Sequence, residues 1–143
     1  MAQVGLLEDN TRIAKLCATM LQYLGHQVTV YEHPRQCLQA LLPQMLIRDN
    51  SLVSYESMLP SSLPVDVLIL DLHLPDIDGI EVLRHLRSSP RTQILPLIFC
   101  TAASRSEVAR AMSVAPDAGF VEKPFKLQSL TSAITKALNL QAE

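Results

Sequence analysis

The chain has 143 residues, the length of one domain, and its 48% hydrophobic and 18% charged residues exclude a disordered polymer. Twelve basic against fourteen acidic residues give a net charge of -2, which argues against direct binding of nucleic acid or of an anionic membrane. The N-terminal sequence lacks the basic and apolar regions of an export signal, and the three cysteines have no metal-site or redox spacing. We therefore expect a cytoplasmic protein with reduced, buried thiols.

Short apolar runs alternate with helical periodicities in the first half of the chain. Val4 to Leu7 and Gln27 to Tyr31 each predict a strand. Between them, a helix capped by Asn10 or Thr11 and closed by Gly25 is predicted. Its apolar residues recur with the period of a helix at Ile13, Leu16, Cys17, Met20, Leu21 and Leu24. A second helical stripe follows at Leu38, Leu41, Leu42, Met45 and Leu46.

The second half of the chain repeats this alternation. Val65 to Leu70 and Ile94 to Cys100 are nearly continuous apolar runs, typical of strands covered on both faces, and Phe120-Val121 predicts a short fifth strand. Three more helices are predicted around Ile80–Leu86, Ser104–Met112 and Leu127–Leu138. For the first of these, the residues predict a capping box between Asp78 and Glu81, with Gly79 as a permissive turn position.

Five strand–helix units predict a doubly wound α/β fold with a five-stranded parallel sheet and helices on both faces. One stretch is longer than this pattern needs. Residues 47–63 (IRDNSLVSYESMLPSSL) fit either an extended second helix with a long loop or a mobile insertion, and we favour the loop.

Polar side chains follow the predicted strands at the points where they end. Glu8 and Asp9 come after the first strand and Asp71 after the third, and the other two positions are Thr101 and Lys123 after the fourth and fifth. The carboxyl ends of parallel strands share one edge of a sheet, where such folds bind their ligands. A single acid there would be read as a helix cap, but five such residues predict one site.

The chemistry of these five residues is coherent. Clustered carboxylates repel one another unless a cation lies among them, and few hard oxygen ligands suit Mg²⁺. A carboxylate can also be a nucleophile that forms an aspartyl-phosphate. The residues therefore predict that Asp71 accepts a phosphoryl group, that Mg²⁺ and Lys123 neutralise its oxygens, and that Thr101 donates a hydrogen bond to one of them.

The stretch VDVLILDLHLPDIDGIEVLRHLR, with Glu8-Asp9, Thr101-Ala102 and FVEKPF, resembles the receiver domain of two-component response regulators. The intervals from Asp71 to Thr101 and from Thr101 to Lys123 agree with that family, and the match covers nearly the whole chain. The resemblance implies a flavodoxin-like (βα)5 fold, Mg²⁺ as cofactor, and a histidine kinase or phosphotransfer protein as phosphoryl donor.

The resemblance also assigns roles to individual residues. It implies that Asp71 is the phosphoacceptor, and that Asp9 binds the metal directly and Glu8 through water. It also implies that the backbone carbonyl of His73 binds the metal, and that the Ala102 backbone and Lys123 bind the phosphate. Thr101 would be the switch hydroxyl and Phe120 the switch aromatic. In the family the Lys123-Pro124 bond is commonly cis. The His73 side chain flanks the path of the attacking water, so we expect it to modulate the lifetime of the phosphorylated state.

Three alternatives stay open on the sequence. A phosphatase of the haloacid-dehalogenase type would need a second acid where His73 stands. A degenerate receiver would act as a phosphorylation-independent protein-binding module. Finally, the chain carries no output domain, so it is either a stand-alone receiver with a separate protein target or a fragment of a larger regulator. The family implies partner binding, or homodimerisation, through the face formed by the fourth helix, fifth strand and fifth helix.

Overall fold

The computed structural model describes residues 2–42, 63–74, 78–102, 104–123 and 126–142. In these ranges the strands are β1 (Gln3–Leu7), β2 (Gln27–Tyr31), β3 (Val67–Leu70), β4 (Leu97–Thr101) and β5 (Gly119–Glu122). The helices are α1 (Thr11–Tyr23), α2 (Pro34–Leu41), α3 (Gly79–Ser88), α4 (Arg105–Val114) and α5 (Leu127–Ala142). The predicted surplus at 47–63, except Leu63, lies outside the described residues, as do Met45, Leu46 and Pro124.

The five strands form one parallel sheet in the order β2-β1-β3-β4-β5. Two hydrophobic clusters cover its two faces. One cluster contains buried residues of α2, α3 and α4, and the other contains buried residues of α1 and α5. The predicted doubly wound α/β fold is therefore confirmed. Every residue of β3 and β4 is buried, as the continuous apolar runs predict.

The predicted start of the fourth strand and the predicted buried face of the first helix are wrong. The fourth strand begins at Leu97, and Ile94 is 78% exposed because the chain before the strand folds as a turn. In that turn the Leu95 N–H donates to the Thr92 carbonyl at 3.1 Å, and Pro96 has no N–H for the sheet. On α1, Leu16 is 53% exposed, because the stripe that meets the sheet is narrower than predicted and contains Ala14, Cys17 and Leu21.

The helix ends confirm most of the predicted caps. The Asn10 side chain accepts hydrogen bonds from two backbone N–H groups of α1, and Gly25 just after that helix has φ +92°, which favours glycine. Asp78 caps α3, but the capping box predicted there is wrong because Glu81 binds Arg84 instead. In the described residues the reciprocal cap of this kind lies at the start of α4, between Ser104 and Glu107.

The three thiols provide a first test of the packing. Cys17, Cys37 and Cys100 are free and buried, and burial raises the pKa of each thiol to about 12. We expect almost no alkylation by iodoacetamide at pH 8 in the native protein, because both the thiolate fraction and the access are small. In denaturant all three should react, as intact mass spectrometry would show. Fast modification of the native protein would contradict this packing.

In the described part of the chain, none of the helices has both the length and the apolar character needed to cross a bilayer.

Candidate functional site

The sheet places the predicted site residues along one edge. Glu8 follows β1 and Asp71 follows β3, and these strands are neighbours in the sheet. The Asp71 N–H donates to the Leu7 carbonyl at 3.2 Å, so the strand pairing continues into the site. On the other side, the Lys123 N–H donates to the carbonyl of Thr101, the last residue of β4, at 3.1 Å.

An ammonium group joins the two carboxylates at the centre of this edge. Lys123 Nζ lies 2.5 Å from Glu8 Oε1 and 2.8 Å from Asp71 Oδ2. Glu8 and Asp71 are only 3% and 7% exposed. Because the charges are buried, water screens their attraction weakly, and breaking the contacts would leave charge without a partner.

The pKa values of the buried pair reflect this setting. Burial raises the pKa of the Glu8 carboxyl, and the hydrogen bond from Lys123 only partly offsets that effect. For Lys123, burial alone would lower the pKa. The hydrogen bonds to Asp71 and Glu8 outweigh burial, so the pKa of the ammonium lies above its usual value. Lys123 is therefore a fixed positive charge at neutral pH.

Backbone N–H groups hold the other carboxylate oxygens. The Asn10 N–H donates to Glu8 Oε2 at 3.2 Å, and the His73 N–H donates to Asp71 Oδ1 at 3.1 Å. Both oxygens of each buried carboxylate therefore accept a hydrogen bond. This arrangement fixes the direction of the two groups before any ligand arrives.

The acidic residues lie close enough to share a cation. Glu8, Asp9 and Asp71 each offer a carboxylate oxygen, and these three oxygens lie within 4.8 Å of one another. Asp9 is exposed, so the cluster opens to solvent on one side. Three carboxylates outnumber the single ammonium of Lys123, and the excess negative charge and the all-oxygen donor set fit a hard divalent cation.

Gly79 shapes the loop after Asp71 through close packing. A Cβ atom at Gly79 would lie 2.6 Å from Leu72 Cα and 2.8 Å from the Asp71 carbonyl oxygen. The Gly79 N–H also donates to the Leu72 carbonyl at 3.1 Å. The predicted role of this glycine is therefore corrected. Its φ lies outside the left-handed region, and the residue is needed because backbone meets backbone there.

The predicted switch residues occupy different environments. Thr101 is fully buried at the end of β4, whereas the following Ala102 is exposed. Phe120 on β5 is 42% exposed and lines a groove of about 740 Å³ formed mainly by residues 116–120 and α5. The rotamer change proposed for Phe120 and the bond from Thr101 to a phosphoryl group stay predictions.

Glu107 lies beside the site, although no sequence pattern placed it there. His73 Nε2 lies 2.6 Å from Glu107 Oε2, in the first turn of α4. This hydrogen bond, together with those from Ser104, holds the pKa of the Glu107 carboxyl below its usual value. The pattern Ser104-x-x-Glu107 could have predicted the cap of α4. No local pattern links Glu107 to His73, because the two residues lie on different strand–helix units.

A family model described as the response regulator receiver domain matches residues 4–135. The chain belongs to this family. Receiver domains are signalling modules and not enzymes in the usual sense, so the phosphatase alternative is set aside. The two-component signalling class inferred from the motifs is thereby confirmed.

Individual relatives agree with the family. This chain is 40% identical over 139 residues to the phosphate regulon transcriptional regulatory protein PhoB of Rhizobium meliloti. The match covers 96% of this chain and 52% of that protein. The chain thus spans about half the length of the curated relatives it matches.

Solved structures show the same fold. A response regulator of Chloroflexus aurantiacus superposes with a TM-score of 0.75 at 22% identity, covering 96% of this chain and 98% of that one. The bacteriophytochrome response regulator AtBRR superposes with a TM-score of 0.71 at 28% identity, covering 96% of this chain and 92% of that one.

Proposed function

We propose that the chain is a single receiver domain in which Asp71 accepts a phosphoryl group from a histidine kinase or a phosphotransfer protein. The observation that carries the proposal is the contact of the buried Asp71 carboxylate with Lys123, inside a cluster of acids that could hold a cation. A degenerate receiver would have no need to keep a buried carboxylate and ammonium together at the end of the sheet, since burying charge is costly.

The transfer needs positioning more than acid–base chemistry. An Asp71 carboxylate oxygen attacks the phosphorus of a phosphohistidine; a new O–P bond forms while the N–P bond breaks, and its electron pair stays on the imidazole nitrogen of the donor. Lys123 moves its hydrogen bond to the incoming oxygens. The Thr101 hydroxyl and the Ala102 N–H donate to the other phosphoryl oxygens.

The same site would hold Mg²⁺. Asp9, Asp71 and the backbone carbonyl of His73 would bind the cation directly, and Glu8 would bind it through water. The bound cation supplies charge neutralisation at the phosphoryl oxygens. Glu8 already shares its charge with Lys123, which fits an indirect role for this carboxylate.

Phosphorylation would then change the surface formed by α4, β5 and α5. A phosphoryl group adds almost two negative charges, which draw Thr101 and the loop after it toward Asp71. Phe120 turns into the space that opens, and the face formed by α4, β5 and α5 changes shape. This face, with its groove of about 740 Å³, would bind a downstream protein target, an output domain or a second copy.

The phosphorylation itself can be tested with a small donor. Incubation with acetyl phosphate and Mg²⁺ should add one phosphoryl group to the intact mass. The gain should vanish without Mg²⁺ and in Asp71→Asn. If the protein gains no phosphoryl group from acetyl phosphate or from a phosphorylated phosphotransfer protein, the degenerate-receiver alternative is favoured.

Cation binding gives an independent prediction. Asp9→Asn removes a charged ligand, so the affinity for Mg²⁺ should fall at least about ten-fold, as measured by calorimetric titration. Asp66→Asn is the matched control, because Asp66 is exposed at the opposite end of β3 and accepts its hydrogen bond from Gln3. Equal affinities in the two variants would refute the proposed ligand set.

A further inference from the structure

One polar contact links the loop after Asp71 to helix α4. His73 Nε2 and Glu107 Oε2 are 2.6 Å apart, and their side chains are 56% and 36% exposed. A neutral imidazole with its hydrogen on Nε2 is sufficient to donate this bond to the carboxylate. The two residues belong to different strand–helix units, so the bond constrains how these units lie relative to each other.

Both ends of this contact are anchored. The His73 N–H donates to Asp71 Oδ1 at 3.1 Å, which ties the loop to the proposed phosphoacceptor. The other oxygen of Glu107, Oε1, accepts bonds from the Ser104 N–H at 3.2 Å and from the Ser104 hydroxyl at 3.0 Å. Through His73 and Glu107, these hydrogen bonds therefore connect Asp71 to the N-cap of α4.

We propose that the bond between His73 and Glu107 is a latch that holds the first turn of α4 in its unphosphorylated position. The proposal rests on the proposed function, in which Thr101 moves toward a phosphoryl group on Asp71. Ser104 follows Thr101 by three residues, so this movement pulls on the cap of α4 and on Glu107. His73 stays attached to Asp71, so Glu107 moves relative to His73 and the geometry of the bond between them is lost.

The geometry gives the direction of the effect. A hydrogen bond of 2.6 Å cannot shorten further without repulsion, so a displacement of Glu107 by about 1 Å relative to His73 removes it. The latch therefore stabilises the unphosphorylated arrangement more than the phosphorylated one. A ligand that binds only the phosphorylated arrangement must offset the free energy that this bond contributes. Because the pair is partly exposed, breaking it should shift this equilibrium by about two- to five-fold.

The experiment uses beryllofluoride with Mg²⁺ as a stable phosphoryl mimic. Its affinity would be measured by NMR titration for the wild type, His73→Asn, Glu107→Gln and the double variant. Gln at position 107 keeps the side-chain oxygen needed for the capping box, and it replaces the bond between His73 and a charged carboxylate with a weaker bond to a neutral amide. We expect each single variant to bind about two- to five-fold more tightly, and the double variant no more tightly than the better single variant.

Two further readouts separate a latch from a merely structural contact. In the unliganded single variants, the amide signals of residues 104–107 should move toward their positions in the beryllofluoride complex of the wild type. Glu81→Gln is the matched control, because it likewise removes the carboxylate charge from an exposed 2.6 Å pair, here with Arg84 inside a single helix. It should leave both the affinity and these signals unchanged.

The outcomes distinguish the two proposals. If the wild type binds the mimic but the single variants match it, or if the two effects multiply in the double variant, the latch is wrong and the proposed function stands. An equal effect of Glu81→Gln also overturns the latch. If the wild type binds no beryllofluoride in the presence of Mg²⁺, the proposed function fails and the latch fails with it.

Discussion

Lys123→Met is expected to lower the free energy of unfolding by about 3 kcal/mol at neutral pH and to abolish the response to a phosphoryl mimic. The reason is that Glu8 and Asp71 would remain buried beside each other with their shared cation gone. Methionine keeps most of the volume, so the loss measures charge and not packing. Urea unfolding would determine the change in stability.

Added Mg²⁺ should restore part of the lost stability in Lys123→Met, because a divalent cation can neutralise the same carboxylates. The matched control is Lys126→Met, which removes an exposed lysine three residues further along the chain. This variant should unfold within about 0.5 kcal/mol of the wild type. Equal stabilities of the two variants would mean that the ammonium contributes little to the site.

Gly79→Ala should destabilise the protein by about 3 kcal/mol, which is large for the addition of one methyl group. The new Cβ would approach the backbone of Asp71 and Leu72 to less than 3 Å, and backbone cannot rotate away as a side chain can. Relief requires that the start of α3 moves away from the loop after Asp71. We therefore also expect weaker Mg²⁺ binding, because this loop carries the proposed carbonyl ligand.

Gly119→Ala is the control for this effect. A Cβ there would meet only the side chain of Ile98, at an ordinary 3.6 Å. Urea midpoints of the two variants should therefore differ clearly, with Gly119→Ala close to the wild type. If both variants lose the same stability, the close approach of the backbone is not the reason why Gly79→Ala is destabilised.

The sequence predicts the layout of the fold well because its signals are local. The buried runs that form β3 and β4 are continuous, and the parallel sheet that they imply brings Glu8, Asp71 and Lys123 to one edge. The predicted start of the fourth strand is wrong because Ile94 looks like the residues after it. The exposure of Ile94 depends on the turn before β4 and on Pro96, and the apolar pattern indicates neither the turn nor its end.

The contacts inside the site are harder to predict. The sequence indicates that Lys123 lies near the acids. Which carboxylate oxygens it binds depends on the side-chain conformations at the edge of the sheet. The pairing of His73 with Glu107 depends on the spacing between α4 and the loop after Asp71, which is set by packing across the whole domain. The capping box at Ser104 is local and could have been predicted.

We expect Asp71 itself to carry the phosphoryl group. After incubation with acetyl phosphate and Mg²⁺, borohydride would reduce an aspartyl-phosphate to homoserine with release of phosphate, and peptide mass spectrometry would then locate the changed residue. We predict homoserine at position 71 and unchanged aspartate at position 9. Homoserine at another position, or none in a protein whose mass shows a phosphoryl group, would contradict phosphorylation at Asp71.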